Sequence, residues 1–239
     1  MRKIKPFNKF LVGHKVDLII LDKNVVKNTD WYTWLNDQRN TKFMATGKFP
    51  NTIEKQLKYL ETEIISEKKL LSISNMKSGE TFTDKKIQLG IVVKKTNMLV
   101  GMIAVSNFRH FSRTCVISLI MDLKKNVKNR LKIFKESQDL MIEHIFFRMN
   151  FRKIYAGAIS EKLSVLSEKL WGFKREGVFK KHQFANGKYL DAYMLGLFRE
   201  DWEKKIKIAS KNSKLQNMAC MNNLKILFIN CRKQQYRYG

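Results

Sequence analysis

The sequence predicts a mixed α/β fold, a mostly antiparallel central sheet flanked by helices, with a basic C-terminal extension. Three observations lead to it. Apolar, β-branched runs recur at 87–93, 98–105 and 113–122, separated by short polar segments. Helical periodicity then extends to His144. A further strand-like run, FRKIYAGAIS, a shorter helix and a closing strand pair around Asn186-Gly187 complete the order.

Taken in order, KVDLIIL at 15–21 reads as the first strand, beside the middle of the sheet. TDWYTWLNDQRNTKFM reads as a helix, with Trp31, Trp34 and Leu35 on one face and Thr29 or Asp30 as its cap. Pro50 stiffens the next connection, and Thr52 caps a helix with Ile53, Leu57, Leu60 and Ile64 on one side. The pattern weakens from Ser66 to Lys86, where KLLSISNM reads as a short strand and MKSGETFTDKK as a hairpin or a surface loop. Gly90 and Gly101 fall inside strands and imply bulges or close approach. Residues 108–111 form a bend, which makes His110 a surface residue first and a titrating group second. In the long helix Phe134, Gln138, Met141 and Ile145 form one stripe, joined by Ser137, Leu140 and His144. Leu163, Leu166 and Leu170 form the buried side of the shorter helix.

The formal charge of +26, from 47 basic against 21 acidic residues, attracts polyanions: coenzyme A, nucleic acid or an anionic membrane. Cys115, Cys220 and Cys231 lack paired spacing, which argues against a disulfide scaffold or a zinc site. No apolar run reaches membrane-spanning length and the basic N-terminus lacks a signal peptide's apolar region, so a cytoplasmic protein is expected.

The ordered series WLND, FPNT, GF, EG and NGKYLD resembles the GCN5-related N-acetyltransferase (GNAT) family, in its ribosomal-protein and amino-sugar acetylating branch. The resemblance covers about Phe10 to Trp202 and implies a domain over 1–203, with 204–239 as a basic tail. It implies acetyl-CoA as cosubstrate, no metal, and direct attack by a primary amine of an amino sugar or a protein N-terminus. The cofactor's pantetheine arm is then expected to insert like a strand beside Cys115–Asp122, against backbone groups of Ile120, Met121 and Asp122. Pyrophosphate is expected where the next helix opens, at Lys125, Lys128, Asn129 and Arg130, with Ser160 where the family places an Asn. Ser167 is implied as the acid that protonates the leaving thiolate and Glu176 as the base. The loop 36–49, with Trp34, Asp37, Asp191 and Tyr193, is implied to bound the acceptor.

The chain departs from the family at Ser160, where relatives carry an Asn, and most strongly in one loop. Relatives carry Arg or Gln, two residues, Gly, one residue, then Gly or Ala, because glycines let the backbone wrap phosphates at a helix N-terminus. Here no glycine occurs between Gly101 and Gly157, and LKKNVKNR holds charge in its place. Asn126 or Asn129 can supply the left-handed backbone instead. A second reading therefore stands beside the enzyme: an inactive GNAT-like scaffold that binds nucleic acid or a protein assembly through its basic surface. The tail, with nine Lys or Arg and no acid over 204–239, fits either a nucleic-acid contact or an unstructured extension. Exposed sheet edges make a homodimer an expectation as well.

Overall fold

The computed structural model describes residues 7–41, 49–65, 86–124, 128–185 and 187–208. The chain divides into two compact units, residues 1–199 and 200–239. In the second, residues 200–208 are helical. No described helix is long and apolar enough to cross a membrane.

The first unit is built on an eight-stranded sheet in the order β1-β2-β3-β4-β5-β6-β8-β7. Its strands are β1 (Lys9–Val12), β2 (Val16–Ile20), β3 (Ile87–Val93), β4 (Met98–Arg109), β5 (Thr114–Met121), β6 (Lys153–Ala158), β7 (Lys174–Ala185) and β8 (Lys188–Phe198). Every neighbouring pair is antiparallel except β5 and β6. Strands β2, β3 and β4 are buried along most of their length, which explains their nearly unbroken apolar runs. The architecture is the sheet flanked by helices that the sequence predicts.

Two placements differ from expectation. KVDLIIL is β2, one strand in from an edge, because β1 pairs outside it. Strand β1 is four residues long and mostly exposed, so it carries no alternation to read. The expected helix around Trp31 is a 3-10 turn, Trp31–Asn36, followed by the short α2 (Gln38–Thr41). The break falls at Asp37, whose carboxylate accepts the Arg39 N–H at 2.9 Å and starts a second helix. Residues 42–48 and the KLLSISNM and MKSGETFTDKK segments lie outside the described residues.

The remaining helices follow their caps. Helix α1 (Lys23–Asn28) opens at Asp22, which accepts the Val25 N–H at 2.9 Å. Helix α3 (Ile53–Tyr59) opens at Thr52, which accepts from Lys55, and continues in π-helical turns through Leu60–Ile65. Helix α4 (Arg130–Glu143) runs into a π-helical turn at His144–Arg148, and α5 is Glu161–Trp171. Asn36 and Asn51 clamp the start of α3 onto the Trp31 turn: the Asn36 side chain donates to Asn51 O at 2.8 Å and accepts from Asn51 N–H at 2.7 Å. That reciprocal pair is the physical content of the WLND and FPNT motifs.

Beneath these helices Trp31 and Trp34 are buried with Leu21, Val26, Leu60 and Leu99. Gly101 is a site of close approach. A Cβ there would come within 2.6 Å of Ile120 O, beside a register shift between Ile91 and Val92.

Candidate active site

The sheet splits at its parallel joint. Strands β5 and β6 pair only at Thr114↔Lys153, Cys115↔Ile154 and Val116↔Tyr155. Beyond that, β5 runs on against β4 alone and β6 against β8 alone. The Asp122 N–H donates to Val100 O at 2.9 Å, so by antiparallel alternation the even-numbered residues of β5 face β4. Ile117, Leu119 and Met121 therefore turn their N–H and C=O into the split. Arg113, in the same alternation, accepts from Arg152 N–H at 2.8 Å on the β6 side, which fixes the direction independently.

Of the three expected backbone partners, only Met121 faces the split. The Asp122 amide is spent on Val100, and Ile120 turns its amide to β4 and its side chain into a neighbouring cleft. Across the split, a Cβ at Gly157 of β6 would meet no atom within 4 Å, so the sheet face beside it is open.

Helix α4 opens next to this split. Asn129, its cap, is left-handed at φ 59° and ψ 35°, a conformation that glycine adopts freely and Asn better than most other residues. The Asn129 carbonyl accepts from Lys132 and Ile133, so the N–H groups of Arg130 and Leu131 precede the first helical bonds. The first turn carries no acid, and Lys128 and Arg130 flank it. Donors, dipole and cations together suit a phosphate group. Lys125 lies outside the described residues.

The start of this loop is braced from below. The buried Asn40 side chain donates to Asp122 Oδ1 at 3.2 Å and accepts the Leu123 N–H at 2.8 Å. Asp37 holds Arg39 at 2.9 Å and Lys124 at 3.2 Å. The hydrogen bond from Arg39 is the main reason its carboxyl lies far below the usual carboxylate range, with Lys124 adding to it against the cost of burial. Asp37, expected beside the acceptor, thus braces the loop through Arg39 and Lys124. Trp34, also expected beside the acceptor, is buried in the core cluster.

Glu176 is also placed elsewhere. Its carboxylate pairs with Lys153 Nζ at 2.7 Å, and that ammonium lies 4.5 Å and 4.6 Å from the ring centroids of Tyr155 and Phe198. Burial alone would lower the Lys153 pKa, but the hydrogen bonds it donates to Glu176 and Tyr155, with their charge attraction, outweigh burial and raise the value. Glu176, the expected base, is thus held in an ion pair with Lys153. Asp191 accepts from the Lys181 N–H and the Lys180 ammonium, both at 2.9 Å, and these two bonds lower its pKa. Arg175 stacks over Tyr193 at 4.8 Å. Neither residue of β8 reaches the cleft described next.

Ser160 caps α5 through its carbonyl, which accepts from Ser164 N–H at 3.1 Å, and its hydroxyl makes no cap bond. Ser167 sits half-buried on α5, which packs against β6, β7 and β8. Burial pushes the Cys115 thiol up to about 12, which removes it as a nucleophile.

A cleft of about 370 Å³ lies between the Trp31 turn, α3 and strands β3 to β5. Trp31, Leu35, Met102, Ala104 and Leu119 supply apolar wall. Asn51, Gln56, Tyr59, Lys86, Gln88 and Ser118 supply polar groups. Gln88, Ala104 and Ser118 are in register across three strands, so the polar row leads from α3 to the edge of the split. Sequence reasoning missed these residues. The available signal was Gln88 and Ser118, each a polar interruption of an apolar strand.

A scan against protein-family models gives no match, and neither does a search of curated proteins. Solved structures do match. A probable acetyltransferase superposes with a TM-score of 0.63 at 17% identity, covering 81% of this chain and 99% of its own. The microcin C7 self-immunity acetyltransferase MccE, solved with acetyl-CoA and AMP, gives 0.61 at 18% over 82% and 98%. The spermidine N-acetyltransferase of Vibrio cholerae, solved with CoA and spermine, gives 0.61 at 14% over 80% and 99%. The fold is the GNAT fold. Within it, the split between β5 and β6, the start of α4 and the cleft beside β5 are three places among the described residues where the geometry suits a ligand.

Proposed function

We propose that the protein is an acetyl-CoA-dependent N-acetyltransferase acting on a primary amine. The observation that carries this is the split. A strand pair that separates after three residues, with the Leu119 and Met121 amides turned inward, fits an inserted amide-bearing arm. The left-handed Asn129 and the α4 amides fit its phosphates without glycine. When bound, acetyl-CoA supplies an activated thioester acetyl group.

The chain's own groups then hold and orient. The Leu119 and Met121 N–H groups donate to oxygen atoms lying in the split. Lys128, Arg130 and the first α4 amides fix the anionic end. The cleft holds the amine beside Ser118, turning a bimolecular encounter into an oriented one. The amine nitrogen forms the amide C–N bond as the thioester C–S bond breaks, and the amine proton passes to water at the mouth. Ser167 is the proposed donor to the leaving sulfur, on α5 across the split. An amino sugar or a protein N-terminus is the proposed acceptor, following the WLND and NGKYLD motifs. The neighbours solved with CoA and spermine or with acetyl-CoA and AMP show only that similar folds hold unlike ligands.

Calorimetry with acetyl-CoA at low and moderate salt tests the reading. Binding that survives added salt supports a shaped site. Absent binding, or weak binding that salt abolishes, overturns it and leaves the basic scaffold.

A further inference from the structure

We infer that the acceptor is an amine carrying an anionic group, which Lys86 engages at the far end of the cleft from β5. This rests on the acyl-transfer reading and adds the charge of its substrate.

Lys86 immediately precedes β3 and is half-buried in the cleft wall. Its ammonium donates to Tyr59 Oη at 2.7 Å and lies 5.4 Å from that ring's centroid. Tyr59 in turn donates to Gln88 Oε1 at 2.6 Å. The phenol oxygen is thereby used as acceptor and donor. The ammonium has three N–H donors, and one is spent on Tyr59. Among the described residues, no carboxylate forms an ion pair with Lys86. A positive charge held in a largely apolar wall against a neutral oxygen is a site awaiting an anion.

The other acids around the active region are committed elsewhere. Asp37 serves Arg39 and Lys124, Asp191 serves Lys180, and Glu176 serves Lys153. The charge presented to the acceptor by the described cleft is therefore that of Lys86, which repels a polycation. Tyr59 and Gln88 hold the lysine in place, so it does not swing freely to bulk water.

The spacing defines the substrate further. Gln88 and Ser118 are two strands apart, roughly 10 Å between backbones. Lys86 lies on the same strand face as Gln88, one pleat further along. An amine beside Ser118 and an anion at Lys86 are then bridged by a small apolar or sugar-sized body, which a cleft of about 370 Å³ accommodates. Carboxylate and phosphate share the required chemistry.

The test measures kcat/KM by thiol release from acetyl-CoA. Glucosamine 6-phosphate is compared with glucosamine, phenylalanine with phenylalaninamide, and spermidine stands as the polycation. The expected result is an advantage of about tenfold or more for at least one anionic amine over its uncharged partner, with spermidine poorest. Whichever pair shows it identifies phosphate or carboxylate. Lys86→Met brings that ratio close to one, and Lys86→Arg retains it. Because the ratio is taken within each variant, it does not depend on the fraction folded. Equal use of charged and uncharged amines, preference for spermidine, or a ratio unmoved by Lys86→Met overturns the inference. Acetyl-CoA calorimetry on the same samples separates the two failures: binding without anionic preference sinks this inference alone, while absent binding sinks the acyl-transfer reading with it.

Discussion

Glu176→Gln separates a structural carboxylate from a catalytic one. In the pair with Lys153, the lysine side chain is 11% exposed and the glutamate 34%. Cutting a fully buried pair costs about 3–5 kcal/mol, and cutting an exposed one about 0.2–1 kcal/mol. One enclosed partner and one partly open partner place this pair between them, at about 2 kcal/mol after solvent screening. The Tyr155 and Phe198 rings stay beside the ammonium and limit the loss. For a domain of this size that corresponds to a fall in Tm of about 4–8 °C. Thermal unfolding of Glu176→Gln, Lys153→Met and the double variant measures it, and the double variant should lose less than the sum of the singles. kcat for acetyl transfer by the folded variant should stay within about twofold. Unchanged stability together with a loss of kcat of about a hundredfold would refute the reasoning and return Glu176 to the role of base.

Other outcomes follow from the same geometry. Asn40→Ala removes the link between Leu123 and Asp122 and should cost about 1–3 kcal/mol, read by denaturant unfolding, with weaker acetyl-CoA binding by calorimetry. Asn129→Gly keeps the left-handed cap without its side chain and should preserve or tighten acetyl-CoA binding, whereas Asn129→Val should weaken it and cost about 1–2 kcal/mol. Asp37 has a folded pKa below its unfolded one, so its stabilisation is present above about pH 4 and is lost as pH falls through the folded value. The Tm gap between the parent and Asp37→Asn should accordingly be wide at neutral pH and narrow steadily below about pH 4; a gap independent of pH would contradict the Arg39 and Lys124 pairing. Gly196→Ala should destabilise, because Glu176 fills the space its Cβ needs.

The fold was legible where local pattern and tertiary demand agree. The β3–β4 hairpin and α4 carry apolar periodicity over many residues and bury most of what it marks, whereas the β7–β8 pair was legible from its Asn-Gly turn signal, with Phe179, Phe184 and Tyr189 left exposed. Strand β1 and helix α1 are four and six residues long, too short to show a period. The left-handed Asn129 was readable, since Asn tolerates that conformation and stands where glycine is usual. The ion pairs of the acids were not. Asp37, Glu176 and Asp191 meet their cations through folding, and in the Glu176 case the cation is 23 residues away. Nor does a side chain reveal which β5 amides face the split, because Met121 and Asp122 differ there only in register parity. The polar interruptions Gln88 and Ser118 marked the cleft, but their alignment depends on strand pairing.

The three-residue ladder between β5 and β6 has a mechanical meaning. It is the seam between two half-sheets, β1–β5 and β6–β8, each well laddered within itself. Such a seam concentrates deformation, so the halves are expected to flex about Thr114–Val116 and to exchange amide hydrogens as separate cooperative blocks. A strand-like guest in the split would lengthen the seam and weld the blocks together. Protection gained at Leu119, Met121 and Gly157 on adding acetyl-CoA would then report occupancy, and the stiffening of the whole molecule that comes with it.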